Sequence, residues 1–232
     1  MPFLARYRAI VFDLDGTLID SYEALTEAVN FALGEEGHRL VSAGELRHFV
    51  GEGVERLLQK CLGQDEIPDR ILRNFEERYG VVCREKTKLL ASVASTLPTL
   101  ANLGLRMAIC TNKPTRFAVD IAEHMGFAAY FDGIVGPDLA GFRKPDPVHV
   151  LKALETTGVA REHAVFIGDM PIDVQGARSA GIDVACIPTG SASIDGLRAS
   201  GPDYLLERFD QIVDLVEGRL GRATANAGRE PS

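Results

Sequence analysis

The sequence predicts an α/β protein: a doubly wound, Rossmann-like parallel sheet carrying an inserted helical domain. Short unbroken apolar runs such as Ala9-Ile10-Val11-Phe12 are apolar on both faces, as strands buried inside a parallel sheet must be. From residue 105 onward such runs alternate with helical patterns, the order of successive βαβ units. Between residues 21 and 90 no comparable run occurs, and apolar residues recur at helical spacing instead.

The first strand, Ala9 to Phe12, ends at Asp13. Leu25, Val29 and Leu33 then mark a helix face stopped by Gly34 and Gly37, and Ser42 with Glu45 forms a capping box that opens a second helix. Val54, Leu57, Leu58 and Cys61 give a third stripe ending at Gly63. Pro68 suits a first helical position, and Ile71, Leu72, Phe75 and Tyr79 follow before Gly80. Four helices are therefore expected in the insertion. Residues 92–103 are helical in pattern but contain Pro98, so that helix either starts near Ser95 or Thr96 or is kinked. Further strands are expected at 105–110, 133–135, 164–167 and 184–187, with helices at 117–125, 148–156 and 174–180. The division that follows is a core of 1–20 and 91–218, a helical domain of 21–90, and a disordered tail, 219–232, that is rich in Gly, Ala and Arg without periodicity.

Composition narrows the function. Of 232 residues, 46% are hydrophobic and 25% charged, the balance of a globular chain. Lys plus Arg count 25 against 33 Asp plus Glu, a net charge of −8, which argues against nucleic acid as a partner. An anionic substrate would need local cations or a metal. The first residues lack the pattern of a signal peptide, and no apolar stretch approaches membrane-spanning length, so a cytoplasmic location with no membrane partner is expected. Cys61, Cys83, Cys110 and Cys186 form no close pair and read as buried or idle thiols. The five histidines show no ligand spacing and read as structural or surface residues.

In open α/β sheets ligands bind at the carboxyl ends of the strands. The first expected strand runs into Asp13-Leu14-Asp15-Gly16-Thr17, the second into Thr111-Asn112-Lys113, another into Gly136-Pro137-Asp138, and the next into Gly168-Asp169 with Asp173 four residues on. Carboxylates converging on one edge need a cation among them, and Asp13 with Asp169 is the natural pair for Mg²⁺. Asp15, two residues past Asp13, can serve as acid and base while Asp13 attacks as a nucleophile. Lys144, between Arg143 and Pro145 in a loop stiffened by two prolines, can neutralise both a phosphate and the attacking carboxylate. Thr111 and Asn112 can donate to phosphate oxygens beside the first amides of the next helix, and they are equally favoured as helix caps. Lys113 and Arg143 flank the site and divide evenly between touching substrate and facing solvent. Gly51-Glu52-Gly53 lacks the third glycine of a dinucleotide fingerprint and reads as an interhelical turn facing the substrate.

Taken in order, Asp13-x-Asp15-Gly16-Thr17, Thr111, Lys144 and Gly168-Asp169-x-x-x-Asp173 resemble the four signature motifs of the haloacid dehalogenase superfamily. The inserted helices are similar to the mobile cap of its first cap class. Thr111-Asn112-Lys113-Pro114, Leu18-Ile19-Asp20-Ser21, Val50-Gly51-Glu52-Gly53-Val54 and Lys144-Pro145-Asp146-Pro147 resemble phosphoglycolate phosphatases most. The resemblance implies that Asp13 becomes an aspartyl phosphate, that Asp15 protonates the leaving oxygen and then activates water, and that Mg²⁺ is held by Asp13, the Asp15 carbonyl and Asp169. Asp173 then orients the site rather than binding the ion. Two departures stand out: Ala91-Ser92 where relatives often have Pro-Gly, and Met170-Pro171 where a Ser or Thr often follows Gly-Asp.

The implied function is Mg²⁺-dependent hydrolysis of a small phosphorylated metabolite, a phosphomonoester, with 2-phosphoglycolate as the leading substrate. Pyrophosphatase, nucleotidase and sugar-phosphate phosphatase or mutase activities share the motifs. Asp15 speaks against dehalogenation, Thr111-Asn112-Lys113 against a mutase, and the complete acidic set against a non-catalytic binding protein.

Overall fold

The computed structural model describes residues 6–223. In chain order, β1 (Ala9–Phe12) leads through a tight turn to β2 (Ile19–Asp20), and then come α1 (Tyr22–Glu35), α2 (Ala43–Arg47), α3 (Val54–Leu62), α4 (Asp69–Val82) and β3 (Lys88–Leu89). The core resumes with α5 (Val93–Asn102), β4 (Arg106–Cys110), α6 (Thr115–His124), β5 (Gly133–Val135), α7 (Pro137–Ala140) and α8 (Pro147–Glu155). It closes with β6 (Ala164–Gly168), α9 (Pro171–Ser179), β7 (Asp183–Cys186), α10 (Ile194–Ser200), β8 (Tyr204–Leu205) and α11 (Gln211–Val216).

The main sheet is six-stranded in the order β5-β4-β1-β6-β7-β8, and every pairing in it is parallel. Strand β1 lies in the middle, with Phe12 level with Ile109 on one side and Ile167 on the other. Asp13, Thr111 and Asp169 therefore leave the sheet along one edge, at the point where the chain departs to both sides. The unbroken apolar runs have a direct cause in the two cores. Ile10, Phe12, Ile109, Val165 and Ile167 pack on one face, while Ala9, Val11, Ala108, Cys110 and Phe166 pack on the other. Both faces exclude water, so alternation disappears.

In the insertion, α1 buries Leu25, Val29 and Leu33, and α4 buries Ile71, Phe75 and Tyr79. Helix α2 begins with the expected reciprocal cap, in which Glu45 N donates to Ser42 Oγ and Ser42 N to Glu45 Oε2. Helix α3 ends at Gly63, whose φ is 69°, the left-handed cap that glycine adopts freely. Among the described residues no helix is long and apolar enough to cross a membrane.

Several elements differ from expectation. The insertion is entered and left by β2 and β3, an antiparallel pair with Ile19 beside Leu89, and β8 adds a sixth strand to the sheet. Each has two residues, too few to leave a periodic pattern. Helix α4 starts after Pro68 and runs through Gly80 to Val82, because burial of Tyr79 and Val82 outweighs the ~1 kcal/mol a helical glycine costs. Helix α5 starts at Val93, earlier than either Ser95 or Thr96, and runs through Pro98 with Val93, Thr96, Leu97 and Leu100 buried. The first part of the expected tail packs on the core: Arg222 lies 3.0 Å from Asp183 and 3.4 Å from Asp203, and Ala223 N donates to Asp203 O at 2.7 Å. The rest of that segment, 224–232, lies outside the described residues.

His149, fully buried, donates from Nε2 to Val135 O at 3.0 Å and leaves Nδ1 without a partner. Burial lowers its pKa from 6.5 to about 4. Between those values the unfolded chain takes up a proton that the folded chain refuses, so stability falls as pH drops, by on the order of 3 kcal/mol. Urea unfolding at pH 7 and pH 4.5 is expected to show a smaller acid loss for His149→Gln than for wild type. Equal losses would refute the assignment.

Candidate active site

The site is built where β1, β4 and β6 end. Lys144, 2% exposed, places Nζ 2.7 Å from Asp13 Oδ1 and 2.7 Å from Asp173 Oδ1. The other oxygen of Asp173 accepts from Asp169 N at 3.2 Å and Met170 N at 3.0 Å. Both carboxylate oxygens of Asp173 thus have protein donors. Asp169 accepts from Thr17 Oγ1 at 3.0 Å through Oδ1, while its buried Oδ2 has no partner.

Three glycines make room for these carboxylates. Gly16, with φ 86°, would bring a Cβ to 2.5 Å from Asp169 Oδ2, so both its backbone and its missing side chain are required. A Cβ on Gly168 would overlap the carboxylate of Asp173, and one on Gly190 that of Asp169. The Gly190 loop is tied down by Thr189 Oγ1, which donates to Gly16 O at 2.6 Å. Nothing in the text Pro188-Thr189-Gly190 separates it from an ordinary turn, and sequence reasoning passes over it.

Oxygens of Asp13, Asp169 and Asp173 all lie within 4.8 Å of one another. With Lys144 the only ammonium between them among the described residues, the cluster carries a formal excess of two negative charges. Burial raises the Asp13 pKa to about 7. Burial, followed by the charges of Asp13 and Asp173, also raises that of Asp169 well above the carboxylate range. Burial works against the charge of Lys144, but Asp13 and Asp173 together hold its pKa above the ordinary lysine value. An orphaned carboxylate oxygen in an anionic, all-oxygen cluster fits a hard divalent cation.

Asp15 is engaged differently. Ser21 Oγ donates to its Oδ1, and Lys113 Nζ lies 2.9 Å from its Oδ2 while donating to the Tyr79 hydroxyl at 2.9 Å. Lys113 is 7% exposed, so it does not face solvent. Burial opposes its charge, and Asp15 and Tyr79 raise its pKa regardless. Burial also pushes Tyr79 up to about 12. Arg143 reaches Glu55 of α3 at 3.2 Å on the exposed rim.

Some expected donors are already committed. Asn112 gives both Nδ2 hydrogens to carbonyls, of Gly51 at 3.1 Å and Lys144 at 3.2 Å, and accepts Lys144 N on Oδ1 at 2.8 Å. Its carboxamide is a clamp on the Lys144 loop and has no hydrogen left for phosphate. Asp138 does not join the acidic cluster; it accepts from Thr115 N and Oγ1, at 2.8 and 2.9 Å, and caps α6. That claims a helix-start amide expected to face an anion. Thr111 accepts from Lys113 N at 3.1 Å and keeps its hydroxyl hydrogen for the cavity it lines.

The cavity lies between this edge and the insertion, with Gly51 and Gly53 of the α2–α3 turn in its wall as expected. Gly51 has φ 123°, and a Cβ there would collide with the Met170 sulfur. The departure from Ser or Thr at that position thus meets a turn in which only glycine fits.

The chain belongs to the haloacid dehalogenase-like hydrolase family, which matches residues 10–187. It is 33% identical to the phosphoglycolate phosphatase of Escherichia coli (strain K12) over 90% of this chain and 92% of that protein. It is 32% identical to the enzyme of the same name from Aquifex aeolicus, over 92% of this chain and 98% of that one. A crystal structure of a predicted phosphoglycolate phosphatase from Haemophilus somnus superposes with a TM-score of 0.85 at 26% identity, covering 92% of this chain and 99% of that one.

If the acidic cluster binds a divalent cation, Mg²⁺ raises the melting temperature of wild type, by the equivalent of about 2.7 kcal/mol at a hundred times its Kd. Asp169→Asn removes one of three crowded charges, so it is expected to melt above wild type in EDTA and to gain nothing from Mg²⁺. Equal Mg²⁺ shifts in both proteins would count against the site.

Proposed function

We propose that this chain is a Mg²⁺-dependent phosphatase that hydrolyses a small phosphomonoester, 2-phosphoglycolate, through an aspartyl phosphate on Asp13. The observation that carries the reading is the pairing of two carboxylates on one cavity with separate buried ammonium groups, Asp13 with Lys144 and Asp15 with Lys113. The names of the relatives support the substrate.

Asp13 attacks phosphorus as a carboxylate, with Lys144 holding its Oδ1 and offsetting the charge that gathers on the phosphoryl oxygens. The ester oxygen leaves with a proton from Asp15. Asp15, now a carboxylate, takes a proton from water, whose oxygen displaces the phosphoryl group from Asp13 and restores the nucleophile. The Thr111 hydroxyl is placed to donate to a phosphoryl oxygen. Asp13, Asp169 and the Asp15 carbonyl would hold Mg²⁺, which when bound adds electrostatic stabilisation of the transferring phosphoryl group. Asp173 holds Lys144 and the Asp169 backbone in place. Such a set is needed because monoester hydrolysis requires about 20 kcal/mol or more of barrier lowering.

Residues 21–90 form a cap over the cavity, and its movement admits substrate. The β2–β3 ribbon is its hinge, and closure excludes bulk water while the phosphoenzyme forms.

Phosphate release from 2-phosphoglycolate, pyrophosphate, a nucleoside monophosphate and a sugar phosphate tests this. Wild type with Mg²⁺ is expected to favour 2-phosphoglycolate. Asp13→Asn should lower kcat by at least ~10³ and Asp15→Asn by about 10²–10⁴. A different preferred substrate would replace the named one and leave the chemistry, while no release from any would overturn the reading.

A further inference from the structure

We propose that Lys113 determines specificity by recognising a carboxylate on the leaving alcohol, bonded directly to the ester carbon. The inference rests on the phosphomonoesterase reading above and names the substrate feature that the site selects. Among the described residues that line the cavity, Lys113 is the only cation. Its Nζ has partners for two of three hydrogens, Asp15 and Tyr79, and the third has none among the described residues. A buried ammonium with an unused donor on a substrate cavity asks for an anionic acceptor.

Position says which part of the substrate supplies it. The leaving oxygen must lie within hydrogen-bond reach of Asp15, and Lys113 Nζ is 2.9 Å from that same carboxylate. A carboxylate two bonds beyond the ester oxygen comes within reach of both. The phosphate end has its own cation, Lys144, held between Asp13 and Asp173. Elsewhere the wall is apolar, with Leu25, Val54, Leu57, Phe75 and Phe117, and the Asn112 amide hydrogens are spent on carbonyls. A sugar's hydroxyls would meet few partners there. Tyr79 comes from α4 of the insertion, and its ring meets Phe117 of α6 edge-on with centroids 5.0 Å apart. The segment that closes the cavity thereby also orients the ammonium.

The test compares kcat/KM for 2-phosphoglycolate, its neutral amide 2-phosphoglycolamide, and ethyl phosphate, in wild type and Lys113→Met. A site built for a group rejects analogues that lack it by about 10⁴–10⁵ when its own polar atoms are left unpaired. Here Asp15 remains as a partner, so a preference of about tenfold to a hundredfold for the carboxylate is expected in wild type. Lys113→Met should bring the ratio near one. If Lys113 only braces Asp15, the variant slows all three substrates together and the ratio keeps its wild-type value, which overturns the proposal. Should Lys113→Met fail to fold, Lys113→Gln is read in the same way. A wild-type ratio near one overturns the proposal without any variant while leaving the phosphatase reading intact; no hydrolysis of any phosphomonoester overturns both.

Discussion

Three buried carboxylates crowd around one ammonium at the end of β1, and much of the core serves to keep that arrangement in place. Burying charge is costly unless each group is paired or hydrogen-bonded, so Lys144 has to be held where Asp13 and Asp173 both reach it. Its backbone is gripped on both sides by the carboxamide of Asn112. Asp173 reaches it from α9 with its second oxygen anchored on two backbone amides. Gly16, Gly168 and Gly190 leave the space those carboxylates occupy. The strand register that levels Phe12 with Ile167 brings Asp13 and Asp169 together in the first place.

The insertion meets this edge through contacts of two kinds. On the rim, Arg143 with Glu55 and Arg116 with Glu76 are exposed pairs, each worth at most about 1 kcal/mol. Inside, Asn112 reaches Gly51 O, and Lys113 reaches Tyr79 beneath an edge-on contact with Phe117. The buried contacts set the geometry of this interface, and the rim pairs add little to it. Asn112 belongs to both networks: the amide that holds the Lys144 loop also holds the α2–α3 turn.

Much of this was legible in the sequence, for reasons that differ from element to element. Strands buried on both faces announce themselves as short apolar runs, and the amphipathic helices α1, α3 and α4 repeat often enough to be seen. Strands β2, β3 and β8 were missed because two residues have no period. Helices α4 and α5 overrode Gly80 and Pro98 through the burial of Tyr79, Val82, Leu97 and Leu100, a packing effect that local propensity does not contain. Among candidate site residues, Asp13, Asp15, Asp169 and Asp173 stand out by their places after apolar runs, and Lys144 by its proline-stiffened loop. Gly190 was not, because only a neighbour distant in sequence gives it meaning.

The sequence by itself determined the fold class, the helical insertion and the set of acidic and basic residues at the strand ends, because those follow from periodicity and chemistry over a few adjacent positions. Tertiary structure alone decided which of those residues share the site. It removed Asp138 to the cap of α6, turned Asn112 from a phosphate donor into a clamp, and buried Lys113 against Asp15 and Tyr79. Each of these outcomes depends on a partner 20 or more residues away. Hydrogen-bond satisfaction in a buried site is a property of the assembled neighbours, and no local pattern records it.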